Sequence, residues 1–82
     1  MKVKIKKTYH YNYLLESECS IINYHLQHGI QKYYYFNGNI NVEHYCVFGW
    51  IHGIRKIWNN NGARISIEHW KNGRLNGVKI KF

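Results

Sequence analysis

Proline and aspartate are absent from this 82-residue chain, alanine occurs once, and glutamate supplies all four acidic side chains. With so few carboxylates there is no paired-carboxylate constellation for general acid–base work. A Gly-rich phosphate loop is also missing. Cysteine is limited to Cys19 and Cys46. A zinc site made from Cys19, His25, His28 and Cys46 would lack the tight Cys-x-x-Cys pair that marks such sites. In a cytosolic protein, two such thiols read instead as reduced, buried or half-buried side chains. No apolar run is long enough to span a bilayer, and no apolar stretch follows the basic Lys2-Val3-Lys4-Ile5-Lys6-Lys7 segment as a signal peptide requires. The expected location is the cytoplasm, or the host cytoplasm if the chain is viral. Heavy use of Asn, Ile, Lys and Tyr favours AT-rich codons, hence a low-GC genome such as a large DNA virus, a phage or a low-GC bacterium.

What the chain does have is order in its glycines. All seven fall on three columns of a 24-residue step: Gly29, Gly53 and Gly77; Gly38 and Gly62; Gly49 and Gly73. The step is shared by Ile30/Ile54/Val78, Lys32/Lys56, Tyr34/Trp58/Phe82, Asn37/Asn61 and Ile51/Leu75. Glu43-His44-Tyr45 and Glu68-His69-Trp70 also match, one residue off that step, which implies a compensating slip inside the unit. Self-similarity at a fixed period is the mark of a repeat array. On this match His44 and His69 are equivalent, and a histidine repeated in this way reads as structural. The expectation is that the protein is not an enzyme and uses no cofactor or metal.

Each unit reads as a β-hairpin. Ile30 to Phe36 is rich in aromatic residues and short for a helix, and Asn37-Gly38 follows as a hairpin signal whose two residues both tolerate positive φ. Ile40 to Tyr45 returns. The next unit turns at Asn61-Gly62, and Lys71-Asn72-Gly73-Arg74 then leads into a closing strand, Val78 to Phe82. Alternation places Ile30, Tyr34, Ile54, Trp58, Val78, Ile80 and Phe82 on one face, expected to be packed. Gln31, Tyr33, Tyr35, Arg55, Ile57, Lys79 and Lys81 share the other. The fold class is therefore all-β, a short array of stacked antiparallel hairpins. It divides into a degenerate capping unit over 1–28, repeats over 29–52 and 53–76, and a closing strand over 77–82. The cap is expected to be irregular. Its residues 14–28 fit a helical stripe (Leu15, Cys19, Ile22, Leu26) or a strand (Ile22, Tyr24, Leu26), with a hairpin favoured because terminal repeats are atypical caps.

At Tyr34-Tyr35-Phe36-Asn37-Gly38 followed by Gly49-Trp50-Ile51-His52-Gly53, the sequence resembles the MORN repeat family, in its bacterial and viral variant. The second copy is Trp58-Asn59-Asn60-Asn61-Gly62 followed by Gly73-Arg74-Leu75-Asn76-Gly77. The likeness covers residues 29–82, and Cys46-Val47-Phe48-Gly49 departs from the usual polar turn. The resemblance implies an elongated, twisted sheet of stacked hairpins that binds partners, and antitoxin or immunity components of toxin–antitoxin modules among its relatives. It implies no reaction.

Twelve cations against four glutamates give a net charge of +8, more than solubility requires of so small a domain. An excess of this size favours an acidic partner. The terminal lysines Lys2, Lys4, Lys6, Lys79 and Lys81 suit the simpler role of guarding sheet edges. The interior arginines, set among three tryptophans, do not. The expected contact residues are Tyr33, Tyr35, Trp50, Arg55, Arg64, Trp70 and Arg74. Gly38, Gly49, Gly53, Gly62, Gly73 and Gly77, with Asn37 and Asn61, are expected to shape turns. The leading expectation is a protein-binding inhibitor acting by occlusion, either antitoxin-like or directed at a host defence complex such as a CRISPR effector. Its partner would carry an acidic or nucleic-acid-handling surface. Direct RNA or DNA binding through stacked aromatics and cations stands second, and an anionic membrane surface third. The free ends of so short an array also suggest a homodimer.

Overall fold

The structure, a computed structural model, describes residues 2–23 and 25–82, with the side chain of Val78 left out. Seven strands form one antiparallel sheet in sequence order: β1 (Lys4–Tyr9), β2 (Leu15–Ile22), β3 (Leu26–Tyr34), β4 (Ile40–Val47), β5 (Trp50–Trp58), β6 (Arg64–Lys71) and β7 (Arg74–Lys81). Among the described residues there is no helix. The residues 14–28 that fitted two readings thus lie in β2 and β3, and the helical alternative is overturned. Tyr24, part of the alternation that suggested a strand there, lies outside the described residues. The sheet measures 36 × 36 × 12 Å, a single layer.

Two kinds of turn alternate along its edges. The longer ones span residues 10–14, 35–39 and 59–63, and all three have the same bonds. In each, the outermost residues are joined from N–H to C=O: His10 to Leu14, Tyr35 to Asn39, Asn59 to Ala63. In each, the asparagine side chain (Asn12, Asn37, Asn61) accepts from the backbone N–H two residues on. This is an Asx turn, the reason asparagine suits the position. The next residue takes positive φ: Tyr13 at 69°, Gly38 at 93°, Gly62 at 92°. Asn37 and Asn61 are not among the positive-φ residues. The expectation of a two-residue Asn-Gly turn is therefore corrected to a three-residue loop with glycine at the left-handed position. Asn12 marks the same turn in the N-terminal hairpin, where Tyr13 stands in the glycine column. The shorter turns put Phe48 and Gly49, and then Asn72 and Gly73, at positive φ.

The expected slip within the unit is not there. Gln31 pairs with His44, and Arg55, 24 residues on, pairs with Glu68, so His44 and Glu68 are equivalent at the plain 24-residue step. Glu43 instead faces Lys32 and Lys56. The resemblance of the two Glu-His-aromatic tripeptides crosses faces and has no structural meaning. The one extra residue of the array lies between β2, which ends at Ile22, and β3, which starts at Leu26.

Gln31, Arg55 and Lys79 share a face as expected, but that face, not the other, is the packed one. Gln31 is 0% exposed, and Ser17, Cys19, His44, Cys46, Ser66 and Glu68 are buried with it. Ile30 is 52% exposed, and Ile54, Ile80 and Phe82 are exposed too. In two packed layers, apolar side chains would decide which face is inside. Here, among the described residues, there is no second layer. The register shifts in every strand pair, and such bulges bend strands and increase twist. The buried side chains of the packed face, Gln31, His44 and Glu68 among them, are covered by their own neighbours in the sheet. Stability therefore rests on ladder hydrogen bonds and cross-strand pairs, each contributing roughly 0.2–1 kcal/mol.

Candidate functional site

One row of the packed face crosses the whole sheet: Lys6, Cys19, Gln31, His44, Arg55, Glu68 and Lys79 are successive cross-strand neighbours. Its C-terminal end is a charge cluster centred on Glu68. The Glu68 carboxylate accepts from Trp70 Nε1 at 3.0 Å and lies 3.4 Å from Arg55 and 3.2 Å from Lys79. Arg55 also sits over the Trp70 ring, 5.7 Å from its centroid. Burial works to raise the Glu68 pKa. The bonds from Trp70 and Lys79 and the charges of Arg55 and Lys79 outweigh it, holding the carboxyl below its ordinary value. Arg55 and Trp70, both expected contact residues, are half-buried and engage Glu68, although Arg55 Nε is buried without a hydrogen-bond partner.

In the middle of the row, burial and then the Arg55 charge pull His44 down to about 4, so it is neutral near pH 7. Tyr33 stacks on it, with centroids 5.7 Å apart. The Tyr33 hydroxyl accepts from Gln27, and burial raises its pKa. Cys46 donates weakly to Gln27 and is likewise raised by burial. Both thiols are free and buried. His25 is exposed, and His28 accepts from the Phe48 backbone N–H. Among the described residues, no three His, Cys, Asp or Glu side chains come together to hold a metal ion. Tyr35 is also structural, since its hydroxyl donates to the Trp58 carbonyl.

The remaining expected residues reach solvent at opposite edges. Arg64 is exposed beside the long turn, 5.7 Å from the Trp58 centroid and 6.0 Å from that of Phe82. Trp50 and Arg74 meet at the short-turn edge. There they line an open hollow of about 570 Å³ with Lys71, Asn72, Leu75 and Asn76. Trp50 is 60% exposed, and one side of its ring lies against Gly73, where a Cβ would overlap it. Of the seven expected contacts, Tyr33, Tyr35, Arg55 and Trp70 are half-buried, and Trp50, Arg64 and Arg74 are exposed.

Charge is also uneven along the chain. From Gly53 onward there are seven cations and one glutamate. That glutamate is Glu68, already engaged by Arg55 and Lys79. Among the described residues, Arg64, Lys71, Arg74 and Lys81 have no carboxylate within 4.0 Å. Lys71, Lys79, Lys81 and Phe82 were not among the expected contacts. The signal for Lys71 lay in the Lys71-Asn72-Gly73-Arg74 turn, whose cations flank a glycine that the repeat already marked. The other face carries a row of alternating sign instead, Lys7–Glu18–Lys32–Glu43–Lys56, with Lys7 3.7 Å from Glu18. At the N-terminal end, Tyr11 and Tyr13 are nearly fully exposed, and Tyr11 packs on Phe36 with centroids 4.7 Å apart.

Compared with known proteins, the chain matches no family model, no curated protein and no solved structure.

Proposed function

We propose that this chain is a non-enzymatic binding module that acts by occlusion, laying its basic C-terminal half over an acidic surface of a partner protein. The observation that carries the reading is the charge there: among the described residues Arg64, Lys71, Arg74 and Lys81 have no carboxylate within 4.0 Å, they stand beside exposed aromatic surface, and Glu68 is engaged by Arg55 and Lys79. Aromatic and arginine side chains are enriched at interfaces, where they anchor binding. Opposed charge speeds encounter and rejects wrong partners. The single-layer sheet leaves these groups on an open surface. The MORN resemblance belongs to this reading, as does an inhibitory role of the antitoxin or anti-defence kind.

The test is capture from host lysate by the tagged chain, with and without nuclease treatment, beside a variant carrying Arg64→Glu, Lys71→Glu and Arg74→Glu. A protein retained after nuclease treatment and lost with the triple variant supports the reading. Retention of nucleic acid alone, with affinity falling steeply as salt rises through counterion release, would replace it with direct nucleic-acid binding.

A further inference from the structure

We infer that the outer edge of β7 binds an extended partner segment by strand addition, and that this segment alternates acidic and apolar residues. The inference rests on the proposed acidic partner and specifies how that partner is held. β7 pairs with β6 on one side, and among the described residues no strand pairs with its other side. An open edge presents a row of backbone donors and acceptors, the template for adding a strand.

The repeat itself supplies the register. Lys79, Ile80 and Lys81 on β7 stand one 24-residue step after Arg55, Lys56 and Ile57 on β5. On β5 those three residues face Glu68, Ile67 and Ser66 of β6. A strand added to β7 in the way that β6 is added to β5 would therefore put a residue equivalent to Glu68 opposite Lys79. The residue equivalent to Ile67 would lie opposite Ile80.

The exposed groups of β7 ask for the same chemistry. Lys79 and Lys81 share the face that carries Arg55 and Glu68, whereas Ile80 pairs with Ile67 on the other. Ile80 and the adjacent Phe82 are exposed. Opposite β7, acidic residues would meet lysine on one face, and apolar residues would cover Ile80 on the other. Lysines on an edge strand repel a like-charged strand, which is their usual protective role. That repulsion disfavours β7 pairing with β7 of a second copy and leaves an acidic strand unopposed. The other edge, β1, alternates in the same way over Lys4, Ile5 and Lys6, but Lys7, paired with Glu18, adds a cation to the Ile5 face.

The test uses the full chain, isotope-labelled for NMR, with a synthetic eight-residue peptide alternating Glu and Val. Two controls accompany it: a peptide of the same composition with the glutamates in one block, and the alternating peptide N-methylated on the residues that face β7. The expected result is binding of the alternating peptide, with slowed hydrogen exchange of β7 amides. N-methylation should weaken it about tenfold or more, since each lost hydrogen bond removes roughly a factor of two to ten. Lys81→Glu, which leaves the Lys79–Glu68 pair intact, should shift preference toward a Lys–Val peptide. Equal binding of all three acidic peptides would overturn strand addition while leaving charge-driven binding intact. Binding by none would overturn strand addition too, and the capture experiment would then judge the basic surface separately. Protection of β7 amides in the chain alone, with a dimer in sedimentation, would overturn the acidic occupant in favour of a second copy.

Discussion

The side-chain amide of Asn37 donates a 2.6 Å hydrogen bond to the carbonyl oxygen of Asn60, one hairpin further along the sheet. Asn12 makes the equivalent bond to Phe36. The same two asparagines accept, through their oxygens, the N–H that closes their own turn. One residue type thus shapes a turn and ties it to the next. Asn61 closes its turn in the same way. Among the described residues it makes no such onward bond.

Asn37→Asp separates the two roles, because the carboxylate still accepts but no longer donates. We expect it to lower stability by about 1 kcal/mol, the usual net value of one hydrogen bond. Asn61→Asp should cost much less. Urea melts of the two variants give the comparison. Equal losses would mean that the bond to Asn60 contributes nothing.

Acid should weaken the fold from an unusually high pH. His44 has a folded pKa of about 4 against an ordinary 6.5, so between those values the unfolded chain binds a proton that the folded chain refuses. Its contribution is whole above pH 6.5 and drains away as pH falls toward 4, by roughly 3 kcal/mol at most. Glu68, held below its ordinary 4.5, adds a second loss as pH falls from there through its folded pKa. His44→Gln should flatten the upper part of the profile. An unchanged slope between pH 6.5 and 4.5 in that variant would show that another group is responsible.

Much of this fold was legible because the repeat marks the backbone. All seven glycines have positive φ, and the columns in the sequence are columns of turns and bulges in the sheet. Asn12 was missed as a turn residue because its unit has Tyr13 where the others have glycine. Leu15, Cys19, Ile22 and Leu26 suggested a helix because a bulge near Ser20 breaks the two-residue period between β2 and β3. The packed face was misjudged for a different reason. Hydrophobicity tells inside from outside when two layers meet, and in a single bent layer Gln31 and Glu68 can be buried while Ile30 stays in water. Of the site, Trp50, Arg64 and Arg74 were readable as surface groups. The buried role of Arg55 was hidden until its pairing with Glu68 was known.

Glycine is required for two distinguishable reasons. At Gly62 a Cβ would meet nothing within 4 Å, so Gly62→Ala carries only the cost of positive φ, about 1–2 kcal/mol. At Gly73 the added Cβ would also overlap the Trp50 ring, so Gly73→Ala should cost more. Adding Trp50→Ala to Gly73→Ala should recover the excess, and a double-mutant cycle measures that coupling. Additive losses would show that Trp50 is not seated on Gly73.

Charge reversal should separate the arginines of the fold from the arginines of the surface. Arg55→Glu places a second carboxylate beside buried Glu68 and removes the cation from the Trp70 ring, so it should destabilise the protein by several kcal/mol, as breaking a buried pair does. Arg74→Glu changes an exposed side chain with no carboxylate near it. Its effect on thermal unfolding should be near zero, in keeping with exposed charges. It should nevertheless impair capture of an acidic partner, because like charges brought together at an interface cost several kcal/mol. Lys2, Lys4 and Lys6 changed together to Gln should affect neither measurement strongly, since they lie at the β1 end of the sheet, away from the cationic half. If that lysine set abolishes capture and Arg74→Glu does not, binding lies at the N-terminal edge, beside exposed Tyr11 and Tyr13. If neither matters, the excess charge does not direct recognition, and the exposed aromatic side chains become the surface to mutate.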